Sequence, residues 1–121
     1  MCEFYCLTFH FYYINSTAPS APPSFFHVVV INSTAIEFQW ERPPLEFQNG
    51  IIRGYKLFYQ EQGSMNQRMV DVPDPDPTAQ IVAGLSPGTA YVCSMLAYTS
   101  ADGPRTLYLT VSTYANGTLL V

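Results

Sequence analysis

The chain has 121 residues, of which 48 % are hydrophobic, 15 % aromatic and only 12 % charged, with a formal net charge of −4. That length suits one domain and is short for two, and the hydrophobic share excludes a disordered chain. The five basic residues (Arg42, Arg53, Lys56, Arg68 and Arg105) are scattered, so no basic cluster exists to neutralise nucleic-acid phosphates or anionic lipid.

Met1–Ile14 is rich in aromatics and carries one charge, Glu3. It lacks the positive start of a secretory signal. No run in the chain is long enough to span a membrane, so direct insertion of this segment is not expected. The stretch 15–24 (NSTAPSAPPS) is small, polar and proline-rich, as an extended linker is. Residues 1–18 are accordingly expected to be a leader and linker, disordered or foreign to the domain.

Strand-like runs follow, with turn signals between them. Phe25–Ile31 is an apolar run with four β-branched residues and reads as a first strand. From Thr34 to Trp40 the pattern alternates: Ile36, Phe38 and Trp40 fall on one face, Glu37 and Gln39 on the other. Pro43-Pro44 ends that strand, because proline donates no ladder hydrogen bond. Asn49-Gly50 is a turn signal. The next strand, Ile52–Gln60, puts Tyr55, Leu57 and Tyr59 on one face.

Gln67–Val72 predicts a short strand. The alternating prolines of Pro73–Pro77 predict a stiff exposed loop. Thr78–Ala83 predicts a further short strand, and Leu85–Thr89 a corner. Ala90–Tyr98 alternates again, with Tyr91, Cys93, Met95 and Ala97 on one face. Thr99–Pro104 is a hairpin loop. Arg105–Thr113 predicts a last strand with Leu107, Leu109 and Val111 in register. Seven strands, each with one apolar face, and no crossover helix predict an all-β fold: two antiparallel sheets packed as a sandwich.

Three cysteines (Cys2, Cys6 and Cys93) cannot close a full disulfide framework. Cys93 is expected to be a small buried apolar residue. Asn-x-Ser/Thr occurs at Asn15, Asn32 and Asn116, where chance alone gives roughly one such triplet. The excess favours glycosylation at these positions and a secreted or cell-surface origin.

The landmarks of residues 19–113 resemble a fibronectin type III module. Pro22-Pro23, Trp40 and Pro43-Pro44 resemble its first third. Asn49-Gly50-Ile51-Ile52-x-Gly54-Tyr55-x-Leu57-x-Tyr59 is similar to its third strand, and this run looks most like modules of neogenin-like guidance receptors and sidekick-like adhesion proteins. Gly84-Leu85-x-Pro87-x-Thr89-x-Tyr91 resembles its tyrosine corner. Cys93-x-Met95-x-Ala97 followed by Gly103-Pro104 resembles its sixth strand and following loop. The resemblance implies an immunoglobulin-like sandwich over 19–113, with 114–121 as a tail. It implies a core built on Ile36, Phe38, Trp40, Tyr55, Leu57, Leu85, Tyr91, Cys93 and Met95. In such a corner the Tyr91 hydroxyl bonds to nearby backbone while its ring packs inward.

Chemistry-bearing motifs are few. His10 and His27 are isolated, and there is no nucleophile elbow, phosphate-binding glycine loop or zinc-spaced Cys/His set. Asp74 and Asp76 offer oxygens of the kind calcium takes, but the prolines between them splay the side chains, and a solvated acidic loop is expected. No catalytic, cofactor-binding or metal-binding residue is assigned, and no cofactor is implied. The Arg-Gly-Asp triplet and the Trp-Ser-x-Trp-Ser motif by which some family members bind are both absent. The loop that would carry the first reads Ser100-Ala101-Asp102-Gly103-Pro104. Leu45, Phe47 and Asp102 are the candidate protein contacts, on loops at one end of the sandwich. Leu45 and Phe47 either mark a contact patch there or fold back on the core edge, and strand faces are a second option, through edge addition.

The chain is therefore expected to be a non-catalytic binding or spacing module of a multidomain cell-surface adhesion or guidance receptor. Its partners would be another protein or neighbouring domains of the same receptor. Two alternatives share the same fold: an accessory module of a receptor phosphatase or glycosidase, and an intracellular muscle-type structural module.

Overall fold

A computed structural model describes residues 17–115. Cys2, Cys6, His10, Asn15, Asn116 and the proposed leader through Ser16 lie outside the described residues. Seven strands form: β1 (Ser24–Asn32), β2 (Ala35–Glu41), β3 (Gly54–Glu61), β4 (Arg68–Val72), β5 (Ala79–Val82), β6 (Ala90–Tyr98) and β7 (Leu109–Ser112). They pair antiparallel into a three-stranded sheet, β1-β2-β5, and a four-stranded sheet, β4-β3-β6-β7. The architecture is an all-β, immunoglobulin-like sandwich.

The period-2 pattern explains the core. Ile36, Phe38 and Trp40 of β2 turn inward, as do Tyr55, Leu57 and Tyr59 of β3 and Tyr91, Cys93, Met95 and Ala97 of β6. Leu85, from the corner before β6, completes the cluster with Val28, Val72 and Val82. Trp40 and Tyr55 meet across the two sheets, with ring centroids 5.2 Å apart. Gly54 opens β3 because a Cβ there would collide with the Val72 carbonyl oxygen and would lie 2.7 Å from the Tyr98 hydroxyl.

The last strand is shorter than Arg105–Thr113. Its ladder starts at Leu109, and Leu107 is turned out to 89 % exposure. Thr106 is the cause. Its hydroxyl takes the Met95 N–H at 3.0 Å, while its own N–H donates to the Met95 carbonyl at 2.8 Å. A side-chain oxygen thus replaces the backbone acceptor that a regular ladder would present, and Leu107 loses the expected register with Leu109 and Val111.

Strand directions fix the two ends of the molecule. The incoming segment, the β2–β3 and β4–β5 connections and the β6–β7 loop share the upper end. The turn after β1, the β3–β4 hairpin, the corner before β6 and the outgoing segment share the lower end. The described chain therefore enters at one end and leaves at the other.

Candidate functional site

At the upper end, the β2–β3 connection is braced from within. Leu45–Phe47 forms one 3-10 turn. The Phe47 N–H donates to Pro44 O at 2.9 Å, and Gln48 Nε2 reaches back to Pro43 O at 2.8 Å. Leu45 is 80 % exposed and Phe47 43 %, so both stand outward on a stiffened loop. Asn49 follows in the left-handed region at φ 57°, which asparagine tolerates better than most residues.

The same Asn49 grips the incoming segment. Its carbonyl accepts from the Thr17 N–H at 3.0 Å, and its Nδ2 donates to Ala18 O at 3.0 Å. The Ser20 N–H donates to Phe47 O at 2.9 Å. From the other side, Thr99 Oγ1 donates to Thr17 O at 2.6 Å. Thr99 itself is only 2 % exposed. Gly103 completes the seat, because a Cβ there would lie 3.0 Å from both Cβ and O of Pro19. Residues of the proline-rich stretch are thus held between two loops.

The lower end repeats the device. Thr113, also buried, donates through Oγ1 to Ser86 O at 2.6 Å and accepts the Thr89 N–H at 3.0 Å. Its N–H donates to Thr89 O at 3.0 Å, and the Gly88 N–H donates to Tyr114 O at 2.9 Å. Beside this clamp, the Tyr91 hydroxyl accepts the Ser86 N–H at 2.8 Å, and the Leu85 N–H donates to Thr34 O at 2.9 Å. The outgoing segment is thereby fixed to the tyrosine corner. Sequence reasoning missed Thr99, Thr113 and the gripping role of Asn49. The one signal available was a threonine directly following the long β6 and another directly following β7.

Of the candidate contacts, Asp102 pairs with Lys56 Nζ at 3.0 Å, and Tyr98 Oη donates to Asp71 Oδ1 at 2.8 Å. Burial, then the Asp71 bond and charge, push the Tyr98 hydroxyl pKa up to about 12. Asp76 is taken by Arg42 at 3.3 Å, and Asp74 Oδ1 accepts the Asp76 N–H at 3.0 Å. No group of metal-ligating side chains occurs among the described residues. Burial also pushes the Cys93 thiol up to about 12, so it stays protonated and unreactive at neutral pH. Asn32 is exposed at the end of β1, where its Oδ1 accepts from Thr34 N at 2.9 Å and Thr34 Oγ1 at 3.3 Å.

Comparison with known proteins agrees with this fold. The family model of the fibronectin type III domain matches residues 21–112. Human protein sidekick-1 is 33 % identical over 96 residues, covering 77 % of this chain and 4 % of sidekick-1. Rat neogenin is 33 % identical over 100 residues, covering 82 % of this chain and 7 % of neogenin. Zebrafish receptor-type tyrosine-protein phosphatase F is 34 % identical over 113 residues, covering 82 % of this chain and 6 % of the phosphatase. The chain thus spans a small fraction of the length of these relatives. Among solved structures, the FN5 domain of Drosophila Lar superposes with a TM-score of 0.64 at 32 % identity, covering 78 % of this chain and 99 % of that one. The chain belongs to the fibronectin type III domain family.

Proposed function

We propose that the chain is a non-catalytic spacing and binding module from the extracellular part of a multidomain adhesion or guidance receptor. The clamping of both ends carries this reading. The incoming segment is held by Thr99 and Asn49 and the outgoing one by Thr113, at opposite ends of one sandwich. A module built this way passes the orientation of one neighbour to the next, because neither junction pivots freely at the surface. Leu45 and Phe47 beside the upper clamp offer apolar contact to whatever adjoins it. Similarity to sidekick-1 and neogenin supports a receptor setting.

Amide hydrogen exchange tests the clamps. Thr99→Val removes the Oγ1 donor and keeps the shape. By freeing the Thr17 carbonyl it is expected to loosen the segment and speed exchange at the Thr17 N–H, which Asn49 O accepts, about five- to tenfold, the worth of roughly 1 kcal/mol of hydrogen bonding. Unchanged protection at Thr17 would contradict the clamp.

Similarity to receptor phosphatase F favours a second reading, an accessory module of a receptor phosphatase. The role of this module would be the same in it. The extracellular setting is tested separately, through Asn15, Asn32 and Asn116. Asn32 Oδ1 is occupied by Thr34, leaving the exposed Nδ2 as the nitrogen that would carry a glycan. Secretion from a eukaryotic host should add glycan mass that falls by one unit in Asn32→Gln. A product with no occupied sequon would sink the extracellular reading and favour the intracellular structural one.

A further inference from the structure

The outward face of the three-stranded sheet takes no part in either clamp. Its strands hold no lysine or arginine, and their only carboxylates are Glu37 and Glu41. Register places Val29, Glu37 and Ile81 in one row and His27, Gln39 and Ala79 in the next. All six face outward, since Val28, Ile36, Phe38 and Val82 between them are buried. Gln39 Nε2 donates to Glu37 Oε1 at 2.8 Å. Neither carboxylate has a cationic partner among the described residues: Arg42 pairs with Asp76, Lys56 with Asp102, Arg105 stacks on Phe58 of the other sheet, and Arg68 lies on β4 and Arg53 just before β3, in that same other sheet's half of the sandwich.

At the upper end of this face the pairing slips between Ser24↔Glu41 and His27↔Gln39. Phe25 and Phe26 therefore both oppose Trp40, which makes a β-bulge. Phe26 turns in onto Phe38, with ring centroids 5.9 Å apart. Phe25 takes φ 55°, a region bulky residues rarely occupy, and the residue is 79 % exposed. It walls an open groove of about 260 Å³ whose lining includes His27, Gln39, Glu41 and Ala79.

We propose that this groove docks a partner protein through a lysine or arginine side chain flanked by apolar residues. Charge complementarity selects that occupant: neither carboxylate of the face has an ion-pair partner among the described residues, Glu37 lies between Val29 and Ile81, and Glu41 shares the groove with Phe25. The cation would lie over the Phe25 ring and pair with Glu41, while its apolar neighbours cover Val29 and Ile81. Asn32 lies at the far end of β1, roughly 20 Å away for an extended strand, so a glycan there would leave the groove open.

An NMR titration of the full chain tests the proposal. The probe is a blocked pentapeptide alternating valine or leucine with arginine, and the control replaces arginine with glutamate. The arginine peptide is expected to shift the amides of Phe25, His27, Gln39, Glu41 and Ala79 saturably, and the control to shift none. Phe25→Ala and Glu41→Gln, both at exposed positions, should each weaken binding about tenfold. Shifts spread evenly over Asp71, Asp74 and Asp76, or unchanged affinity in both variants, would overturn it. So would equal binding of the control, or the same shifts appearing with protein concentration alone, which would assign the groove to a second copy. The outcome is independent of the spacing reading, which rests on Thr99 and Thr113.

Discussion

Trp40 lies in the centre of the sandwich against Tyr55, and Tyr91 closes its lower corner on the Ser86 N–H. The two aromatics contribute by different physics, and mutation separates them. Trp40→Ala leaves a cavity that the packed sheets cannot refill, and it is expected to cost about 3–5 kcal/mol in urea unfolding. Tyr91→Phe keeps the ring and loses one hydrogen bond to a backbone N–H, for about 1–2 kcal/mol. A Trp40→Ala protein as stable as the wild type would remove Trp40 from the core. Both residues stand out in the sequence, one as the only tryptophan and the other in its Gly-Leu-x-Pro-x-Thr-x-Tyr setting. Thr99 and Thr113 do not. A buried threonine that donates to a distant carbonyl has the same letter as one on the surface, and the Thr99 bond spans 82 residues of sequence.

At the scale of elements, the inward positions of β2, β3 and β6 were legible because each of these strands packs one face on the core, while the burial of Phe58, Ser94 and Leu96 on the other face of β3 and β6 was not. The limits of β7 were not. Leu107 continues the apolar period of Leu109 and Val111, yet the Thr106 hydroxyl interrupts the ladder first. The bulge in β1 was likewise hidden. Phe25–Ile31 reads as one straight strand, because a slip in register depends on the partner strand and leaves no periodic trace. The 3-10 turn at Leu45–Phe47 is too short for any period to show. Both hidden features lie at the upper end, where the exposed aromatic and apolar residues of the candidate contact surfaces are set. The strands were thus readable where burial dictates the pattern. At the upper end Leu45 and Phe47 were legible as loop residues, but the turn that holds them and the bulge that turns Phe25 out were not, because local hydrogen bonds and register shape them.

For the molecule as a whole, the sandwich was readable and its junctions were not. The proline-rich stretch before β1 has the composition of a free linker, but Thr17, Ala18 and Ser20 are all hydrogen-bonded to loops. That difference separates a loose tether from a spacer that carries direction. Backbone ¹⁵N relaxation measures it directly on the unmodified chain. Order parameters of Thr17, Ala18, Ser20, Thr113 and Tyr114 are expected to equal those of β3 and β6, near about 0.85. Values below about 0.6 at either end, with the sheets rigid, would show a free junction there and contradict the account.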